Sequence, residues 1–217
     1  MKKLLVFSFL FIAIVINAQS KLGFNVNAGI ASPGGDFGDV YNMGFGGNAG
    51  LTYDLNESIQ LSASAGYYTF AFNNEYYSDL LKEAGFNVTV DVDAPISIIP
   101  LMVGGKYFFS VSDFKPYVSA IVGLHLMSVS GNSVNLGGTN YDISQSATET
   151  KGAWGIGVGF LYKVAPKIFL NLDAKMNGNA AEVGTSTSFQ TGNTTVETTS
   201  SSTTTFITVS AGVQIEL

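Results

Sequence analysis

The chain of 217 residues has no cysteine and no arginine, one histidine (His125) and one tryptophan (Trp154). The lack of cysteine excludes a disulfide framework and a lipid anchor of the lipoprotein type. Ten lysines face sixteen acids, for a net charge of −6, and the lysines do not cluster. Nucleic acid is therefore a poor partner on charge grounds. Only 12% of residues are charged while 46% are hydrophobic. Even so, no stretch beyond the first sixteen or so residues reaches the ~18 consecutive apolar residues that a membrane helix requires. A chain this apolar without long apolar runs has its hydrophobicity dispersed, as alternating strands would disperse it.

The front of the chain has the layout of a secretory signal. Lys2 and Lys3 form a positive n-region, Leu4 to Ile16 an apolar h-region, and Asn17-Ala18 a small-residue cleavage site before Gln19. The expectation is a signal peptide over residues 1–18, cleaved after Ala18. Residues 19–217 then form one domain with a net charge of about −8.

Beyond it, eight segments place apolar side chains on one face and small or polar ones on the other, with a period of two. They are Leu22 to Ile30, Phe45 to Leu55, Ile59 to Phe72, Ile96 to Phe109, Tyr117 to Met127, Trp154 to Val164, Ile168 to Met176 and Phe206 to Leu217. The last is the cleanest, setting Ile207, Val209, Ala211, Val213, Ile215 and Leu217 against Thr208, Ser210, Gly212, Gln214 and Glu216. Ile59 to Phe72 blurs at Tyr67, Tyr68 and Phe70, and Ile96 to Phe109 is the least regular. A strand running to the last residue suggests a sheet whose final strand closes against another. The connections alternate strictly between short (Asp54 to Ser58, Ser110 to Pro116, Ala165 to Lys167) and long (Ala31 to Met43, Asn73 to Pro95, Ser128 to Gly152, Asn177 to Thr203). The expected fold is all-β: an eight-stranded antiparallel up-and-down transmembrane β-barrel with short periplasmic turns and four long extracellular loops. A soluble lipocalin-like barrel shares the strand number. The Gly, Ser and Asn of the polar faces are too uncharged for an aqueous exterior. Tyr53, Tyr107, Phe109, Phe160 and Tyr162 map near the short-turn ends of their strands, and Phe45, Tyr67, Trp154 and Phe206 near the long-loop ends. Two such bands fit interfacial girdles.

Two stretches carry a resemblance. IPLMVGGKYFF (Ile99 to Phe109) followed by FKPYVSAIVG (Phe114 to Gly123) is similar to a hairpin of the small outer-membrane β-barrel family of OmpA/OmpX type. The terminal SAGVQIEL resembles the assembly signal of outer-membrane barrels, through Ser210, Gly212, Ile215 and Leu217; the family usually ends in an aromatic, from which Leu217 departs. The resemblance implies the outer membrane of a Gram-negative bacterium, contact with its lipid, and a barrel-assembly machinery as partner during biogenesis. A monomer is expected, with no cofactor and no metal site; the surface ligand is open.

By parity the barrel interior receives Lys21, Asn25, Asn48, Gln60, Lys106, Tyr117, His125, Lys163, Asp173, Lys175, Gln214 and Glu216. Charges there must be paired to be tolerated, so this set reads as a structural polar plug. Lys21 and Glu216 are expected to meet across the seam of the first and last strands. The set also admits a narrow channel, although eight strands leave an interior just wide enough for side chains. A lipid-modifying enzyme is the other alternative. His125 and Ser128, three residues apart on a strand, point to opposite faces, which does not make a nucleophile and base. Gly104-Gly105 and the Gly155, Gly157, Gly159 row lack the lysine and hydroxyl of a phosphate loop. What remains for function is the loops. Eleven acids (Asp36, Asp39, Glu75, Asp79, Glu83, Asp91, Asp93, Asp142, Glu149, Glu182, Glu197) stand there against Lys82 and Lys151. Ser78 to Gly85 reads as helical turns capped by Ser78 and stopped by Gly85. The Thr/Ser-rich Gly184 to Thr205 reads as either an upright hairpin or a disordered loop. The expected role is non-enzymatic: a structural or surface-interaction barrel.

Overall fold

A computed structural model describes residues 21–85, 90–136, 139–179, 185–191, 194–200 and 204–217. The expected signal peptide lies outside the described residues.

The strands are β1 (Leu22–Gly34), β2 (Gly44–Asp54), β3 (Ile59–Phe70), β4 (Val90–Asp93), β5 (Ile96–Phe108) and β6 (Phe114–Leu136). They continue as β7 (Thr139–Ala165), β8 (Ile168–Asn179), β9 (Thr185–Thr191), β10 (Thr194–Ser200) and β11 (Thr205–Glu216), with short helices α1 (Asp36–Val40) and α2 (Asn74–Glu83). Eight strands pair antiparallel in the cyclic order β1-β2-β3-β5-β6-β7-β8-β11, and β11 returns to β1 from Gly23↔Glu216 to Gly34↔Thr205. The barrel is closed, which removes every sheet edge from the wall.

The period of two decides which side each residue faces. In β1, Phe24, Val26 and Ile30 point out and are 40–50% exposed, while Asn25 and Asn27 point in and are buried. The same inside-out pattern runs round the wall through Leu51, Leu61, Val103, Val122, Ile156, Leu170 and Val209, all exposed. Soluble monomers rarely expose a contiguous apolar patch beyond a few hundred Å², so a continuous apolar belt of this kind requires lipid around it.

Two glycines let the seam close. A Cβ at Gly29 would come within 2.6 Å of Ser210 Cα, and one at Gly212 within 2.7 Å of Asn27 Cα. At the Pro166-Lys167 turn between β7 and β8, Lys167 takes φ 65°, the left-handed conformation that the second central residue of such a turn demands.

Several loop expectations need correction. Ala31 to Gly34 and Ser128 onward are strand. The β6–β7 connection is a ladder carried out to Leu136↔Thr139, with a register shift between Gly131 and Ser133. β4 adds to its β6 edge from Val90↔Leu136 to Asp93↔Ser133. Of the two readings of the Thr/Ser-rich segment, the hairpin is the one seen, with β9 pairing with β10 from Thr194↔Thr191 to Ser200↔Thr185. Ser78 does not cap α2. Asn73 does, its Oδ1 accepting from Tyr76 N at 3.3 Å, and the NNE run with its first-turn acid was the sequence signal for it. Gly85, at φ 88°, follows the helix end.

Candidate functional site

The lumen is filled in layers. Toward the extracellular end, Phe70, Tyr68, Ile96, Ile98, Met127, Ala31 and Phe206 form an apolar layer closed from above by Phe37 of α1. Phe206 meets Phe70 edge-on at 5.5 Å between ring centres, and Phe37 meets Phe70 likewise at 5.2 Å, a geometry favoured by the ring quadrupoles. Phe206 therefore belongs to the interior and not to the outer aromatic band. Its even position in β11 puts it on the face of Thr208 and Ser210. Fully buried beside it, His125 Nδ1 lies 2.6 Å from Asn179 Oδ1, and Asn179 Nδ2 donates to Met127 Sδ at 3.2 Å. Ser128, the one hydroxyl that sequence proximity offered, occupies the opposite parity.

Below this comes a polar layer built round Asp173, which is 3% exposed. Its carboxylate accepts from Ser210 Oγ at 2.8 Å and Asn171 Nδ2 at 3.1 Å, and pairs with Lys175 Nζ at 2.6 Å. Asn171 also donates to Asn27 Oδ1 at 2.6 Å and accepts from Tyr117 Oη at 2.8 Å. The chain of bonds continues from Asn27 Nδ2 to Asn48 Oδ1 at 3.1 Å and from Asn48 Nδ2 to Tyr68 Oη at 3.3 Å. Lys106 Nζ donates to Gln214 Oε1 at 3.4 Å and stands 4.7 Å from the centre of the Tyr117 ring. A small chamber of about 60 Å³ lies among these groups.

A second apolar layer, Phe108, Tyr117, Leu161 and Phe169, closes the lumen toward the short turns. Beneath it opens a cavity of about 570 Å³, lined among others by Lys21, Asp54, Glu57, Gln60, Lys115 and Glu216. Lys115 sits 4.8 Å from the centre of the Phe169 ring and 3.9 Å from Glu216 Oε1. Lys21 shares this cavity, yet the ion pair of Glu216 is with Lys115, not Lys21. Lys163, expected inside, is at the rim: its side chain is 44% exposed and lies 3.9 Å from Asp113 of the β5–β6 turn. Inward parity this near a strand end delivers a side chain to solvent.

Of the expected interior set, Asn25, Gln60, Lys106, Tyr117, His125, Asp173 and Gln214 are buried, and Asn48 and Lys175 are partly buried. Asn27, Asn171, Asn177 and Asn179 complete the network. All four have the same inward parity, and the first two belong to the polar faces read from sequence. On the outer wall Tyr107 and Tyr162 are half exposed, and Phe160 packs on Phe114 at 5.2 Å. Tyr53 and Trp154 share the outward parity. Ile215 and Leu217 point outward, whereas Ser210 and Gly212 point in.

Above the barrel, Asn74 ties α2 to β4: its side chain accepts from Val92 N at 2.7 Å and donates to Val92 O and Asp91 Oδ1, both at 3.2 Å. Asn73 N donates to Val40 O at 2.8 Å, joining α2 to α1. Burial, with Tyr77 nearby, pushes the Tyr41 phenol upward from its ordinary pKa. Asp36, Asp39, Glu75, Asp79, Glu83, Asp91, Asp93 and Glu149 stand on this side, with Lys82 paired to Asp79 at 2.9 Å and Lys151 to Glu149 at 3.3 Å. Glu182 and the side chains of Asp142 and Glu197 lie outside what the structure describes.

A closed eight-stranded barrel with an apolar belt and a polar, corked lumen is an integral membrane protein that crosses lipid with strands. The chain belongs to the family of the outer membrane protein beta-barrel domain, whose family model matches residues 4–213, and its place is the outer membrane of a Gram-negative bacterium. It is 31% identical to outer membrane protein PagN of Salmonella typhimurium over 60% of its own length. It spans about half the length of the relatives it matches, 56% of PagN and 51% of an uncharacterized protein of Haemophilus influenzae. Its fold is similar to that of Neisserial surface protein A, at 18% identity, with 90% of this chain and 97% of that one aligned and a TM-score of 0.51. It is likewise similar to a major outer membrane protein of Thermus thermophilus, at 12% identity, with 91% and 98% aligned and a TM-score of 0.53.

Proposed function

We propose that this barrel is a non-enzymatic surface-contact protein: a rigid wall anchored in lipid that holds an acidic extracellular platform toward a ligand or partner. The observation that carries the reading is the ordered structure beyond the wall, with β4 added to the β6–β7 ladder, α2 tied to β4 through Asn74, and α1 joined to α2. Loops that served only to connect strands would need none of it. The two apolar layers packed across the lumen support the reading against a channel. Against an enzyme stands His125, whose Nδ1 lies against Asn179 and whose ring, among the described residues, has no hydrogen bond to a hydroxyl.

The excess of carboxylates selects a partner of opposite charge, a basic protein surface, and disfavours sulfated polyanions. Export with cleavage after Ala18, insertion by the assembly machinery and a monomeric state complete the proposal. Cells displaying the wild-type protein should retain a basic protein such as lysozyme more than cells whose hairpin is cut back between residues 131 and 147. The difference should shrink as salt rises. Equal retention by both cell types, with both barrels still shifting on gels after boiling, would remove the platform from the function.

A further inference from the structure

Between the two apolar layers the described charges do not balance. Lys106 and Lys175 bring two positive charges and Asp173 one negative. Asp173 already accepts from Lys175, Ser210 and Asn171. The next carboxylate, Asp54, lies in the wall of the mouth cavity and is held by Gln60 Nε2 at 2.7 Å. Lys106 is 7% exposed and has three N–H donors, yet among the described residues its one hydrogen bond is the 3.4 Å contact to Gln214. A buried ammonium so thinly paired is strongly disfavoured unless something else neutralises it.

The wall around it carries hydroxyl donors that no other described group engages, beside the already bonded carboxylate of Asp173 and the amide oxygen of Asn25. Inner-face neighbours run Lys106, Ser119, Gly157, Lys175 across three strand pairings. Ser119 thus stands between the two lysines, and Gly157 lets the Lys175 side chain lie against the wall there, since a Cβ at that position would fall 2.6 Å from Lys175 Cγ and 3.0 Å from Ser119 Oγ. Ser62 lies on the inner face of β3, two residues from Gln60, the cross-strand neighbour of Lys106. Among the described residues, the hydroxyls of Ser62, Ser64 and Ser119 have no hydrogen-bond partner; all three line the 60 Å³ chamber, and Ser119 is 8% exposed. A buried water needs only about 10–15 Å³ of such space, so the chamber has room for an ion and a water. The water would serve Asn25 Oδ1, which lines the same space buried and unpartnered.

We propose that this chamber binds one small monovalent anion, of the size and charge of chloride, against Lys106 Nζ and the hydroxyls of Ser62 and Ser119, with Lys175 on the far side. Because apolar layers close the lumen on both sides, the ion enters during folding and exchanges slowly afterwards. The test refolds the barrel into detergent in sodium bromide, sodium chloride or sodium gluconate at one ionic strength. Melting temperature should rise with the logarithm of bromide or chloride concentration and stay flat in gluconate. Crystals grown in bromide should show an anomalous peak beside Lys106. Lys106→Met should lose both effects. Ser62→Ala/Ser119→Ala, which keeps the lysine, should weaken the halide dependence. Equal melting in all three salts, or a bromide crystal without a peak in the chamber, would show that water alone fills it and would overturn the proposal.

Discussion

At the scale of single residues, Asp173 sets the order of the interior. Its two oxygens gather one cation and two neutral donors from three points of the sequence, Lys175, Asn171 and Ser210. Removing one member of a buried ion pair leaves the other charged and unpaired, at a cost of about 3–5 kcal/mol. Asp173→Ala should therefore destabilise the folded barrel by that order in urea titrations in lipid vesicles. Asp173→Asn/Lys175→Met, which removes both charges and keeps a hydrogen-bonding side chain, should recover most of the loss. A single variant as stable as wild type would show the network to be ornamental. A second residue of consequence is Leu217, which faces lipid beside Ile215. Leu217→Asp places a carboxylate at the periplasmic rim, where the depth-dependent cost is about 0–1 kcal/mol. Stability in vitro should barely change. If the terminal pattern Ser210, Gly212, Ile215, Leu217 is read during assembly, the amount of this variant in the outer membrane should fall sharply, while Leu217→Phe keeps it. Equal membrane levels of both variants would leave the pattern a purely structural one.

At the scale of elements, the seam between β1 and β11 is where closure is decided, and parity separates two adjacent residues there. Gly212 faces in, against the Asn27 backbone, and Ala211 faces lipid. Gly212→Val should prevent the strands from docking, so that no species resistant to unfolding by SDS at room temperature forms. Ala211→Val adds apolar surface in lipid and should leave the gel shift intact. Two variants with the same behaviour would mean that the register of the seam is misassigned. Parity is also where sequence reading succeeded. It gave the facing of Asn25, Gln60, Lys106, Asp173 and Gln214, because a strand has no freedom to put neighbours on the same side. It left the outer parts of β6 and β7 as loop. Outside the membrane neither face needs to be apolar, so the alternation that identifies a strand disappears while the backbone ladder continues. Ser78 drew the helix start too late for a related reason. A serine before two leucines looks like a cap, but Asn73 has the side-chain bond.

For the molecule as a whole, an apolar side chain on the wall does not always face lipid. Tyr68, Phe70, Ile96, Ile98, Leu161, Phe169 and Phe206 are apolar or aromatic and point inward, corking the lumen in two layers. Where such residues also face lipid, as at Ile99 and Leu101 between Ile98 and Met102, the alternation vanishes from sequence. That is the physical reason β5 read as the least regular strand. The two corks have a consequence for permeation. Large side chains from the wall meet across the axis of an eight-stranded barrel, and an apolar constriction of that size sheds water and blocks ions. In planar bilayers the wild-type protein should show no sustained unitary current. Replacing Phe108, Leu161 and Phe169 by alanine thins the lower layer round Tyr117 but leaves the upper layer in place. That variant should stay silent. Adding Phe70→Ala and Phe206→Ala removes the second barrier and should give small, noisy currents, anion-selective because Lys106 and Lys175 then line a wet path. Steady unitary steps from the wild type would show that the lumen opens on its own and would return the narrow channel to consideration.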